Sequence, residues 1–324
     1  MLKALFKLIR IENLLIIAAT QYVMRWCIIS PFLGLNHFSL QLDWLHFLIL
    51  VLSTVFIAAA GYIINDYFDT RTDRLNKPGR VVIDREIPRR TAILLHTVFN
   101  VAGVGLGVYL SFYIKVPGLS LIFLIASGFL WFYSTNYKRQ FLVGNLMVSF
   151  LTASVPLLVV LFELPLLNRE YGPIMMRHQV NFNYLFNWIA GFAFFAFITT
   201  LIREIIKDTE DFEGDSAYGM NTLPIIIGTK YTRIVLVSLI TLLIAALLWV
   251  VLKFIIFSGV GIDYLSAGYF LFLLIVPSLV LIYYIIRAGD KHDFHKASQV
   301  TKLIMLAGIM YAFLVRYIVL NQLN

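Results

Sequence analysis

Apolar residues run through this chain in blocks of roughly 20, separated by short polar stretches, and a block of that length crosses a hydrocarbon core as a helix. Nine such spans are read, at roughly 11–30, 44–64, 91–113, 118–136, 143–162, 185–206, 231–256, 265–287 and 299–320. The pattern predicts an all-α fold, a polytopic membrane protein with about nine transmembrane helices. The first span contains Arg25. Ahead of it, Lys3, Lys7 and Arg10 recur at helical spacing, which predicts a short amphipathic helix over Met1–Arg10 lying on an anionic membrane surface. The apolar run continues too far for a cleaved signal peptide, and no small-residue cleavage site follows. The longest polar stretches are about 65–90, 163–184 and 203–224, and 163–184 is expected as an external loop. No linker or soluble domain interrupts residues 1–324, so a single transmembrane domain is expected.

Composition agrees. Hydrophobic residues make up 60% of the chain and charged residues 14%, against about 25% charged in a typical soluble domain. The mean hydropathy is +0.85. The net charge of +8 reflects topology more than any nucleic-acid partner, because no soluble basic domain carries it. About 20 of the 26 Lys and Arg residues fall before span 1 or between spans 2 and 3, 4 and 5, 6 and 7, and 8 and 9. The positive-inside rule makes that side cytoplasmic, with the N-terminus inside and the C-terminus outside, in a plasma or inner membrane. A lone cysteine, Cys27, excludes an intrachain disulfide and a multi-cysteine metal site.

Two acid segments stand out against this background. The first contains Asn65, Asp66, Asp69 and Asp73, and the second contains Asp208, Asp211 and Asp215. Each places three aspartates at i, i+3 and i+7, on one face of a helix. Carboxylates so placed repel one another unless a cation sits among them. Both segments lie at the cytoplasmic ends of apolar spans. Basic residues are interleaved with them, including Arg80 after the first and Arg203 and Lys207 before the second. The combination suits a shared pocket for Mg²⁺ and a phosphate-bearing ligand, held by carboxylates on one side and Arg or Lys on the other. A weak similarity between the two segments leaves an internal duplication open.

At these residues the chain resembles the UbiA superfamily of membrane prenyltransferases. The NDxxDxxxD motif of that family is matched by Asn65, Asp66, Asp69 and Asp73, and its second acidic motif by Asp208, Asp211 and Asp215. Asn76, Pro78 and Arg80, the stretch from Tyr133 to Lys138 and Arg139, Gly144 and Asn145, and the run ending Thr222-Leu223-Pro224 extend the match. The second segment is most similar to digeranylgeranylglyceryl phosphate synthase-like members. Val81 replaces a frequent proline after the loop arginine, and Arg10-Ile11-Glu12-Asn13 replaces a frequent Arg-Pro-x-Asn.

The resemblance implies nine helices around a central cavity and Mg²⁺-dependent transfer of a prenyl group from a prenyl diphosphate to a lipophilic acceptor in the bilayer. It implies an isoprenylglycerol phosphate as acceptor, with an aromatic quinone precursor as the rival in the same class. By the same resemblance, Asn65, Asp66, Asp69, Asp208, Asp211 and Asp215 hold the metal, with Asp66, Asp69, Asp208 and Asp211 essential to catalysis. Asp73, Arg80, Tyr133, Lys138, Arg139, Asn145 and Lys207 join Asn65 in binding substrate. No obligate protein partner is implied. A secondary transporter is the alternative from another class, but it calls for ionisable groups at the bilayer midplane. Smaller signals read as structural. His292 and His295 are expected in a loop, Gly103 and Gly107 are expected to permit close helix packing, and Pro156 and Pro277 are expected to kink their helices.

Overall fold

The computed structural model describes residues 2–76, 81–177, 181–256 and 262–321. Within them the chain is helical apart from turns, short loops and one isolated bridge between Ile83 and Ile87. Nine helical stretches among the described residues are long and apolar enough to cross a membrane. A helix suits that medium because it satisfies its own backbone donors and acceptors where no water can. The chain divides into two compact units, residues 1–138 with 154–190 and residues 139–153 with 191–324.

The first unit opens with α1 (Leu2–Leu8). The first span follows as α2 (Ile11–Val23), a π-helical stretch (Met24–Ile29) and α3 (Ser30–Gly34). Then come α4 (Trp44–Asn76), α5 (Arg89–Tyr113) and α6 (Ser120–Thr135). The unit also holds α7 (Val143–Arg177) from Ser154 onward and the start of α8 (Asn183–Glu210). α4 packs along α5 through small residues. Ser53 Oγ donates to the Gly103 carbonyl at 2.6 Å. A Cβ on Gly103 would fall 2.8 Å from the Ile57 side chain, and one on Gly107 would fall 2.4 Å from the Phe123 ring. The two glycines therefore let helices approach, as expected from their spacing.

In α1, Lys3 and Lys7 are exposed as expected, together with Leu2 and Phe6, while Ala4 and Leu8 face protein. Ala4 and Leu8 are buried with Ile63, Val82, Ile83 and Ile87 in one core cluster. Val82, Ile83 and Ile87 thus fold their side chains against the N-terminal helix, and Val81 is also buried.

Several helices run further than the hydropathy pattern suggests. α7 continues to Arg177, so most of the stretch expected as an external loop is helix. Glu163, Arg169 and Glu170 resemble loop residues in the sequence because they follow an apolar run. Glu163 is buried and accepts from the Gln41 and Leu42 backbone N–H groups at 2.5 and 3.1 Å, and Arg169 donates to the Ile114 carbonyl at 3.0 Å. Pro156, Pro165 and Pro173 lie inside this helix without ending it.

The second unit contains the start of α7, most of α8, α9 (Phe212–Ala217) and α10 (Leu223–Val250), which runs into a π-helical stretch (Val251–Ile256). It ends with α11 (Tyr264–Tyr269), a π-helical stretch (Phe270–Ile275), α12 (Val276–Arg287) and α13 (Lys291–Asn321). The break in α10 is at Gly228, whose φ of 80° and ψ of 158° a side-chain-bearing residue rarely adopts. Pro277 sits in the first turn of α12, directly after the wider π-helical turn. That position tolerates the missing N–H better than a helix interior does. His292 and His295 lie in the first turns of α13, not in a loop.

Candidate active site

In the first unit, α4 carries Asn65, Asp66 and Asp69 on its last turns, as the periodicity predicts. Each aspartate is held by a cation from elsewhere in the sequence. Arg10 Nη2 donates to Asp66 Oδ1 at 2.6 Å, and Lys138 Nζ forms an ion pair with Asp69 Oδ1. The Lys138 and Asp69 side chains are only 8% and 16% exposed, so this pair is shielded from solvent. Arg10 reaches its partner from the turn between α1 and α2. Its backbone there is left-handed, with φ 51° and ψ 59°, and its guanidinium lies 5.1 Å from the centre of the Tyr62 ring. An arginine held in that region marks a position fixed by its surroundings. The Asn65 Oδ1 atom is buried and has no hydrogen-bond donor among the described residues.

In the second unit, α8 delivers Asp208 near its C-terminus, where Asn145 Nδ2 donates to Asp208 Oδ2 at 2.7 Å. Asn145 is buried on the first turn of α7, and Ser149 caps its carbonyl at 2.6 Å. Glu204 and Asp215 are close enough to repel the Asp208 carboxylate, and Lys207 is close enough to attract it. Lys207 is itself paired with Glu204 at 2.9 Å, and Arg203 with the same carboxylate at 3.1 Å. The helix does not run straight through this motif. α8 stops at Glu210, Asp211 takes φ −93° and ψ 9°, and α9 begins at Phe212. Hydrogen bonds from the Asp211 N–H to Lys207 at 2.8 Å and from the Asp215 N–H to Asp211 at 3.0 Å bridge the break. Asp215 is buried.

The remaining predicted residues divide simply. Tyr133 is half-buried on α6, and Arg139 is exposed, with its carbonyl accepting from the Asn221 N–H at 2.9 Å. Arg80 and the Asp73 side chain lie outside the described residues. Arg10 is absent from the site residues expected from the sequence, yet it pairs with Asp66. Its charge was assigned to the membrane surface, although it begins the Arg10-Ile11-Glu12-Asn13 segment that departs from the family's Arg-Pro-x-Asn. His295, expected only as a loop residue, has its Nδ1 2.9 Å from Glu210 Oε1, inside the second acid segment.

The donor set has the chemistry of a Mg²⁺ site. Hard carboxylate and amide oxygens dominate, and the orphaned Asn65 Oδ1 is an acceptor in need of a partner. Among the described residues, no group of three or more His, Cys, Asp or Glu is gathered closely enough to hold an ion by itself. Mg²⁺ bound beside phosphates takes some of its oxygens from the ligand.

A model of the UbiA prenyltransferase family matches residues 34–322. The digeranylgeranylglyceryl phosphate synthase of Thermococcus kodakarensis is 31% identical over 276 residues, covering 84% of this chain and 86% of that protein. A solved structure concerning digeranylgeranylglyceryl phosphate synthase in membranes is 25% identical, with a TM-score of 0.61 over 96% of this chain and 98% of the other. A UbiA homolog from Archaeoglobus fulgidus, solved bound to GPP and Mg²⁺, shares the fold at 16% identity, with a TM-score of 0.56 over 96% of this chain and 99% of that one.

Proposed function

The chain belongs to the UbiA prenyltransferase family, and from that membership we propose that it joins a prenyl group to an isoprenylglycerol phosphate within the membrane, drawing the group from a prenyl diphosphate. It is an integral membrane prenyltransferase. The observation that carries the reading is the pair of acid segments, each rich in hard oxygen donors and each attended by cations. Similarity to the Thermococcus kodakarensis synthase over 84% of the chain supports the choice of acceptor. The family match spans both compact units, which supports treating them as one functional domain.

Asn65, Asp66 and Asp69 would hold Mg²⁺ against the diphosphate, as would Asp208, Asp211 and Asp215. When bound, the metal withdraws charge from the leaving diphosphate. Lys138, Lys207, Arg139 and Arg80 are assigned to the diphosphate oxygens, and Arg10 joins them because it already sits on Asp66. Binding of a polyanion gives Arg10 and Lys138 a second partner beside the aspartates they now hold. Asn145 fixes the orientation of the Asp208 carboxylate through its amide. Asp73 is assigned to ordering the end of the first motif. Breaking the C1–O bond puts positive charge on an allylic carbon, which aromatic faces stabilise and water would quench. Tyr62 and Tyr133 are the aromatic residues assigned to that task. The acceptor hydroxyl then attacks C1, its proton passes to the released diphosphate, and an ether bond forms.

The distribution of Lys and Arg supports a cytoplasmic N-terminus and an external C-terminus in the plasma or inner membrane. The test of function is product identity. Membranes containing the protein are given one radiolabelled prenyl diphosphate and either an isoprenylglycerol phosphate or a hydroxybenzoate. An ether product from the first acceptor alone is expected. Prenylated hydroxybenzoate as the main product would replace the proposed acceptor.

A further inference from the structure

α1 has two apolar faces, and only one of them meets protein. Ala4 and Leu8 are buried in the cluster with Ile63, Val82, Ile83 and Ile87. At about 100° per residue, Leu2 and Phe6 lie about 160° around the helix from that face. They are 66% and 43% exposed. Lys3 and Lys7 form a second exposed ridge, between Phe6 and the buried face. No acid lies on α1. The turn it packs on exposes Arg85, Arg89 and Arg90 against Asp84 and Glu86, so the surroundings do not cancel its charge.

The two exposed ridges together define what covers them. Leu2 and Phe6 left in water are unfavourable, and a helix of seven residues does not persist on its own propensity. A soluble anion would meet the lysines and leave the apolar ridge wet. An uncharged lipid would cover that ridge and leave the lysines without a counter-charge. An anionic membrane surface meets both. α1 stands at that level, ahead of the span Ile11–Gly34 and beside the end of α4 that carries Asp66. Arg10 follows α1 directly, and its left-handed backbone turns its guanidinium onto Asp66 at 2.6 Å. One short segment thus joins the exposed surface to the first acid segment. We propose that α1 binds anionic phospholipid, with Leu2 and Phe6 in the acyl layer and Lys3 and Lys7 on headgroup phosphates, and that this contact holds Arg10 against Asp66. Its effect on substrate rests on the prenyl-diphosphate site proposed above, whereas the lipid contact does not.

The test places the intact protein in nanodiscs of phosphatidylcholine, alone or mixed with phosphatidylglycerol. Amide hydrogen exchange over residues 2–9 is read by peptide mass spectrometry. Exchange is expected to be about tenfold slower with phosphatidylglycerol. Lys3→Gln with Lys7→Gln should erase the difference, as should Leu2→Ser with Phe6→Ser, and all four positions are exposed, so folding is not threatened. Lys3→Arg with Lys7→Arg should keep it. Glycerol phosphate added to phosphatidylcholine discs should not slow exchange. A prenyl thiolodiphosphate should bind about fivefold tighter with phosphatidylglycerol, and the glutamine variant should lose that gain. Equal exchange in both discs, or protection retained in the glutamine variant, would overturn the lipid contact. Protection by glycerol phosphate would make the surface a site for soluble anions instead. Lipid-dependent protection with unchanged affinity would overturn the link to Arg10. A protein that binds no prenyl thiolodiphosphate in either disc would contradict the proposed function, while lipid-dependent exchange would still support the contact.

Discussion

The two acid segments share one spacing and differ in how their charge is compensated. In the first, the two aspartates with described side chains each have a cation brought from far away in sequence, Arg10 for Asp66 and Lys138 for Asp69. In the second, the first aspartate, Asp208, is held by a neutral amide from Asn145, and Lys207, whose charge attracts it, is paired with Glu204. A pair of opposite charges in a poorly solvated place is strong but brittle, because loss of one partner strands the other. An amide leaves the carboxylate's charge intact and sets only its direction. On the proposed function, the first segment would exchange one cation for another and the second would attract one.

The largest effect should come from the ligand oxygens themselves. Asp69→Ala and Asp211→Ala are each expected to lower prenyl transfer by about 10²-fold or more, since a metal's stabilisation of the leaving group amounts to several kcal/mol. Both proteins should still insert into the membrane. If only one variant loses activity in a transfer assay, the equivalence of the two segments is broken.

Next is the charge stranded in the first segment. Lys138→Met leaves Asp69 unpaired at a mostly shielded position, for which a loss of about 3–5 kcal/mol in stability is expected. Adding Asp69→Asn should restore most of the stability and none of the activity. Thermal melts in detergent beside transfer assays separate the two effects. A double variant no more stable than Lys138→Met would show that the pair does not carry the stability.

The amide in the second segment should matter less for folding. Asn145→Ala is expected to lose about 1–3 kcal/mol, the range for leaving a buried polar group without its partner. Its effect on turnover should exceed that of the exposed pair nearby. His295→Gln is expected to change stability by less than about 1 kcal/mol, because His295 is 46% exposed and such pairs contribute little. A larger loss from His295→Gln than from Asn145→Ala in the same melts would reverse the assignment of which residue organises the second segment.

How far these differences were legible in the sequence depends on the range of the interaction. The helices and the shared face of Asp66 and Asp69 follow from periodicity, which is local, whereas the second segment does not keep one helix face, because the helix breaks at Asp211. Helix ends were misplaced where a buried polar residue resembles a loop residue. Glu163 ended an apolar run, but in the fold its carboxylate serves two backbone donors of another segment. The break at Asp211 was hidden because the i, i+3, i+7 spacing survives a single non-helical residue. Partners were the least legible feature. Arg10 meets Asp66 across 56 residues and Lys138 meets Asp69 across 69, and nothing in the local pattern encodes either distance. Arg10 was counted with Lys3 and Lys7 as a surface charge because it continues their helical spacing. The left-handed turn at Arg10 takes it off that face.

The central claim is that both acid segments bind the diphosphate through Mg²⁺, and direct binding tests it without requiring chemistry. A non-hydrolysable prenyl thiolodiphosphate is titrated into the purified protein by calorimetry, with Mg²⁺ or with EDTA. The account predicts binding that requires Mg²⁺ and is lost in both Asp69→Asn and Asp211→Asn. Equal affinity in EDTA, or full Mg²⁺-dependent affinity in either variant, would contradict it.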